Sequence, residues 1–461
     1  MNDASEVTRR IARFIVDTRF ETIPGSDVAS AKLAMLDCLG CALAAHGEPG
    51  ARIVTEYVRD LGGEPRCGVI ACGFKTAAPL AALANGTLAH ALDHDDVSPS
   101  GHASVILLPA ILASAESRNR GGRDCLEAYV VGFEVAYRIA ASLGLRGDHQ
   151  IHGLHLTSVL GVMAATAAAA KLAGLDEEAT RRALGIAASQ ASGVLGNLGF
   201  DVKPFHAGHA SKSAMVSVEL AERGLTAAPD VFERPVGYGE AVLGAGEPGR
   251  VDHERLLAGL GSDFHVAKGL SFKKYPCCYY VHRALDSVLG LMREHELDFD
   301  RIERVELELR RIPPFFHAAP GTGPQGKFNF EYCLASAILD GEVGHAAFEE
   351  GRVACEPLRR ALDKVRVVRR PIWTVWRQGS NRVRLHTRDG RRLERDVRAP
   401  LGDAANPLPA AAVHEKFRRN ASRALDEPDV ASVLEEMLAL EKLDRIDAIM
   451  ERVTFVSPRP A

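Results

Sequence analysis

For its first 265 or so residues the chain sets apolar side chains three and four positions apart, again and again, and the side chains on those stripes are small. That spacing is the period of the α-helix and predicts helices over 5–18, 27–45, 76–92, 104–118, 123–142, 155–173, 177–191 and 209–223. Clusters such as IPGSD, HGEPG and GLDEE separate them and supply caps. Stripes of alanine and glycine let helix axes approach closely, so this stretch is expected to form a compact all-α domain. The segment 155–175, HLTSVLGVMAATAAAAKLAGL, has the length of a membrane crossing. Alanine, glycine and threonine gain little from lipid, however, so a buried core helix and no membrane partner are expected. The opening MNDASEVTRRIARFIVDTRF interleaves acids and arginines with apolar positions, unlike a secretory leader.

The texture changes near residue 265. ERVELELRR (303–311) alternates charged and apolar residues with a period of two, and NRVRLHTRDGRRLERDV (381–397) repeats this around an Asp389-Gly390 turn, as paired strands would. Helical segments at 277–295 and 329–340 lie among them, and after the proline-rich stretch 399–409 helices resume at 411–420 and 428–439. The expected fold is therefore mainly α. An all-helical domain of 1–266 with 405–461 would carry a smaller α+β unit over 267–404.

Charge and cysteine content narrow the function. Fifty-six Lys plus Arg against 60 Asp plus Glu give a net charge of -4, too little positive field to attract nucleic acid. Within 364–398 there are 12 basic residues against three acids, read first as solvated edge-strand faces paired to acids elsewhere and second as a field steering an anionic substrate. The nine cysteines are odd in number and scattered, which fits neither a disulfide framework nor a zinc ribbon and points to a reducing, cytoplasmic setting. Cys38 and Cys41 lie in the apolar run LAMLDCLGCALAA and are expected in the core.

The densest polar cluster in the apolar half is AHALDHDDVSPSGHASVILLPA (89–110), at the junction of two alanine-rich helices. Carboxylate and imidazole together supply a general acid and base tunable by burial and mutual charge, although Asp95, Asp96, Ser98 and Ser100 also suit turns and caps. The spacings of His90, Asp93 and His94, and of His149, His152 and His155, match no HExxH or Cys/His array, so no metal is expected. Two further segments carry lysines beside helix starts, where an anion would be received. Lys203 and His206 are read in a loop before a helix, and Lys273, Lys274, Tyr275 and His282 surround a Tyr-Pro turn. The glycine-rich, Walker and nucleophile-elbow motifs of dinucleotide, ATP and serine-hydrolase sites are missing, so those three readings lack their main signals.

Taken in order, AHALDHDD, GHAS and LLPAILASAE, EAYVVGFEVAYRIA, HGLHLTSVLGVMAATAAAAKLAGL, ALGIAASQASG, VKPFHAGHAS, KKYPCC with a following His, and KFNFEYCLASAILDG resemble the MmgE/PrpD family nearly end to end. Its reactions include dehydration of 2-methylcitrate, decarboxylation of cis-aconitate and epimerisation of iminodisuccinate. The resemblance implies that the α+β unit is a lid, that the chain forms a homodimer, and that a cofactor-independent, metal-free site lies between the domains. It places active-site roles on Asp93, His102, His155, Lys203, Lys273 and Tyr332. On that reading Lys203 and Lys273, with His206 and Lys274, bind a small anionic polycarboxylate. His102 transfers a proton, oriented by Asp93, while His155 or Tyr332 assists. The expected activity is a lyase dehydrating a hydroxy-polycarboxylate such as 2-methylcitrate. The alternatives are an epimerase or decarboxylase of a related acid, and a carboxylate-binding homologue without turnover. Val97, where the family commonly has threonine, His94, where it has an aromatic, and Gly101-His102-Ala103-Ser104 in place of His-Pro-Ser bear on which acid is matched.

Overall fold

The computed structural model describes residues 6–144, 150–151, 153–243, 251–309, 312–369 and 381–456. It is mainly α-helical, as the periodicity predicts. Helices Gly25–Ala44, Ala78–Ala91, Ser104–Arg118, Gly122–Ser142, Leu156–Ala173 and Val202–Glu222 pack against one another. The Leu156–Ala173 helix, long and apolar enough to cross a membrane, has 89% of its residues buried. Cys38 and Cys41 are buried in the core, where burial pushes both thiols well above their usual range. His149, His152, Arg370 and Arg377 lie outside the described residues.

Several elements differ from expectation. Lys203 and His206 are not in a loop but in the first turns of Val202–Glu222, a helix that begins seven residues earlier than the apolar stripe suggests. Pro204 reads as a breaker in sequence, but a first helical turn needs no backbone N–H from it. The helix expected from 277 begins at His282, after a 3₁₀ turn over Tyr279–Val281. Pro49–Leu61 and Asp447–Thr454 are helices that a charge-rich local composition concealed.

The main sheet has four strands in the order Arg392–Asp396, Arg382–Thr387, Ile302–Leu309, Val365–Arg369. The expected hairpin pairs Leu385 with Leu393, and Val305 pairs with Leu385 on the other side. Val365–Arg369 adds a parallel edge that sequence alternation did not disclose. Its basic neighbours are paired: Arg384 with Glu308 and Glu394, Arg382 with Glu394, Arg395 with Glu294. The solvated, paired-edge reading therefore accounts for these arginines.

Buried apolar residues sort into two clusters. One runs from Val7 to Phe272 and takes in Val413–Val453, and the other runs from Tyr275 to Leu385 with Leu195 and Leu198 added from the N-terminal half. A two-stranded pairing at the boundary sets Asp96 opposite Phe272 and Val97 opposite Ser271. It brings the 89–110 segment against the lysine-bearing segment that follows residue 270.

Candidate active site

The site is built on one turn. Helix Ala78–Ala91 ends at Leu92, and Asp93 then adopts φ 54°, a left-handed conformation that aspartate tolerates better than most residues. Buried lysines from three distant segments grip the backbone there. Lys327 Nζ donates to the Ala91 and Leu92 carbonyls (3.2 and 3.0 Å), Lys273 Nζ to that of Asp93 (2.9 Å), and Lys416 Nζ to those of His94 (2.6 Å) and Lys273 (2.9 Å). Lys416 also pairs with Asp37 at 2.8 Å.

Asp93 turns its carboxylate onto two ammonium groups: Oδ1 lies 2.5 Å from Lys203 Nζ and 2.8 Å from Lys273 Nζ. Burial alone would push this carboxyl up, but the two lysines overrule it and hold it well below the usual range. Burial likewise works against Lys273, yet Asp93 and Asp95 raise it to about 12. Lys203 goes the other way, because burial and the neighbouring Lys273 outweigh its share of Asp93.

Beside this charged set stand four imidazoles. The His90 ring lies 4.6 Å from His102 and 6.1 Å from His155, centre to centre, and His155 Nδ1 is 3.2 Å from His206 Nδ1. Burial, reinforced by the lysines, lowers His90 to about 3, His206 to about 4, His155 well below its usual value and His102 in the same direction. All four are therefore neutral near pH 7 in the free protein. His102 reaches its place because Gly101, at φ 101°, lays its backbone on the start of helix Leu156–Ala173. A Cβ at Gly101 would sit 2.8 Å from Thr157 N, and the His102 N–H donates to Thr157 Oγ1 at 3.2 Å.

The carboxylate that faces His102 is Asp95, not Asp93 as expected. His102 Nδ1 is 2.6 Å from Asp95 Oδ2, and His90 Nδ1 is 3.0 Å from Asp95 Oδ1. Asp93 instead turns its Oδ1 to the two lysines. The turn-and-cap reading does hold for Asp96, which accepts from the Ser104 N–H at the start of the Ser104–Arg118 helix (3.2 Å) and from the Ser104 hydroxyl. Burial and Asp95 push Asp96 up to about 7.

Asp93, His102, His155 and Lys203 line one cavity of about 40 Å³. The rest of its lining is largely aromatic and apolar, with Leu195, Leu198, Tyr279, Tyr280, Phe315 and Phe328. Lys273 lies beneath with no exposed surface, and His206 stands behind His155. The structure does not bring in the other two expected residues. The Tyr332 hydroxyl donates to the Ala347 carbonyl (2.6 Å) inside the second cluster, and Lys274 lies 3.3 Å from Asp286 Oδ1 and over the Tyr275 ring. The aromatic wall, Lys327 and Lys416 were missed. For Lys416 a signal exists, because it shares with Val413, Phe417 and Asn420 the buried stripe of its helix, where a lysine needs a partner.

His90, Asp93, Asp95 and His102 offer donor atoms within 4.8 Å of one another, a spacing that suits a cation. A dication there would meet the Lys203 and Lys273 ammonium groups already on Asp93, so the charge arrangement favours an acid–base cluster receiving an anion.

Residues 9–250 match the MmgE/PrpD N-terminal domain and residues 275–442 the MmgE/PrpD C-terminal domain. A cis-aconitate decarboxylase of Aspergillus terreus (strain NIH 2624 / FGSC A1156) is 28% identical over 478 residues, covering 98% of this chain and 96% of the relative. The cis-aconitate decarboxylase of Mus musculus is 26% identical, covering 95% and 91%. That of Homo sapiens is 27% identical, covering 82% and 80%.

Proposed function

The chain belongs to the MmgE/PrpD family, whose members act on small carboxylates, and from that premise we propose that it is a lyase that passes through a carboxylate-stabilised carbanion, with decarboxylation of a cis-aconitate-type acid as the leading reading. The observation that carries it is the buried Lys203–Asp93–Lys273 set, of which Lys203 and Asp93 line a cavity shared with His102 and His155. In such a site the bond from carbon to the departing carboxylate breaks heterolytically and CO₂ leaves. The electron pair delocalises toward a remaining carboxylate, where Lys203 neutralises the growing charge. A bound polyanion also raises the neighbouring imidazoles, so His102 becomes the imidazolium that returns a proton to carbon.

Dehydration of a hydroxy-polycarboxylate, the activity first expected from the sequence, is the second reading. It is favoured by the neutral state of His102 in the free protein, which suits removal of a proton next to a carboxylate before hydroxide departs. The similarity to cis-aconitate decarboxylases favours the first. The cavity's volume of about 40 Å³ is far below that of an ordinary small-molecule site, so a six-carbon acid enters only if the aromatic side chains move off the histidines. The second cluster then acts as the lid.

Proton NMR in D₂O with cis-aconitate, 2-methylcitrate, citrate and iminodisuccinate tests this directly. A new vinylidene product with CO₂ release from cis-aconitate is the expected result. A vinyl signal from a hydroxy acid without CO₂ installs the second reading, exchange alone an epimerase, and silence across the panel removes the proposal.

A further inference from the structure

Asp95 is the one carboxylate of the cluster that the reaction above leaves unused. It has no exposed surface, and each oxygen faces an imidazole, Oδ1 toward His90 Nδ1 at 3.0 Å and Oδ2 toward His102 Nδ1 at 2.6 Å. A second oxygen, the Asp96 carbonyl, lies 2.8 Å from the same His102 nitrogen. Two acceptor oxygens at one ring nitrogen require a hydrogen on it, so Nδ1 carries the N–H and the lone pair is on Nε2. The carbonyl is enough to hold that tautomer. It carries no net charge, however, and cannot neutralise an imidazolium in a buried site, whereas the carboxylate can.

We propose that Asp95 is the positioning residue and counter-ion of His102, stabilising its imidazolium whenever a proton passes through Nε2. The proton moves between substrate carbon and Nε2, Nδ1 keeps its own hydrogen, and Asp95 stays ionised throughout. The catalytic part of the proposal rests on the functional reading above, and the pairing itself does not. The other groups around His102 are Lys273, Lys203, Asp93, His90 and His155. The two lysines oppose a charge on His102, which leaves the two carboxylates to support it. Asp93 is already engaged by both ammonium groups, so Asp95 is the counter-ion in contact.

The test is Asp95→Asn, isosteric and able to keep a contact with both rings. ¹⁵N-detected NMR of His102 should show the Nδ1–H tautomer in both proteins, with its titration midpoint lower by about one pH unit or more in the variant. Turnover of the substrate found by the panel should fall about 10²-fold or more, with the limb of kcat/KM that reports His102 displaced to lower pH and Asp95→Glu recovering part of the rate. An unchanged midpoint overturns the pairing, and a shifted midpoint with turnover within about two-fold of the parent overturns the catalytic role. If Asp95→Asn fails to fold, an Nε2–H tautomer for His102 in the unmodified protein overturns the proposal by itself. If the unmodified protein turns over nothing in the panel, the functional reading has failed, and the titration still decides the pairing.

Discussion

Asp93 occupies a left-handed conformation that costs a non-glycine residue about 1–3 kcal/mol, and the contacts to Lys203 and Lys273 are what offset it. Removing that carboxylate leaves two buried ammonium groups facing each other. Asp93→Asn is therefore expected to destabilise the fold by about 3–5 kcal/mol, read as a lower denaturation midpoint, and a loss under about 1 kcal/mol would mean that water reaches the lysines. Lys203→Met makes a different case. Lys273 keeps the counter-ion in place, so the helical signal should survive while turnover falls about 10²–10³-fold through loss of the charge on the cavity wall. Retention of most of the turnover would take Lys203 out of the reaction. At this scale composition marked the 89–110 cluster and the lysine-bearing segments, and it was the resemblance to the family that put Asp93, His102, His155 and Lys203 in one site. The sequence could not show that Lys274 and Tyr332 point elsewhere, since the direction of a side chain in the bend after Phe272 or on the helix Phe330–Asp340 is set by what packs around it.

The helices that carry the site meet through their smallest residues. A Cβ on Gly86 of the Ala78–Ala91 helix would lie 2.7 Å from the Gly208 Cα of the Val202–Glu222 helix, and one on Gly208 would strike the Leu83 carbonyl. These two helices bear His90 at one C-terminal end and Lys203 and His206 at the other's N-terminal end. Gly208→Ala must spread them, and is expected to cost about 1–3 kcal/mol in chemical denaturation and to lower turnover as Lys203 withdraws from Asp93. Stability and turnover both within error of the parent would show that the contact can relax. Close helix approach was legible in the alanine and glycine stripes. The early start of the Val202–Glu222 helix was not, because Pro204 masks it.

Across the whole molecule, burial holds many histidines neutral. His206 and His345 lie at about 4 and His90 and His282 at about 3, against roughly 6.5 in an unfolded chain. Each value is depressed on folding, so the unfolded chain binds more protons between the two limits. The stability these groups contribute is fully present above about pH 6.5 and is lost as pH falls through their folded values. The thermal midpoint is expected to drop steadily from pH 6.5 to pH 4, before the low-lying carboxyls Asp93 and Asp95 take up protons. A midpoint constant between pH 7 and pH 5 would mean that these imidazoles charge freely in the folded protein.

The helical period, the close-packed character of the first 265 residues, the change of texture after them and the segment that carries the chemistry can all be read along the chain. Those features depend on residue type and spacing, which a linear chain displays. Which carboxylate serves which partner is set by the fold. Asp93 and Asp95 are two positions apart in sequence and alike in type. The left-handed turn at Asp93 and the pairing of Asp96–Val97 with Ser271–Phe272 send the first to the lysines and the second to the histidines. Side-chain direction after such a turn is set by backbone torsions and by strands about 180 residues away, and no local pattern records either.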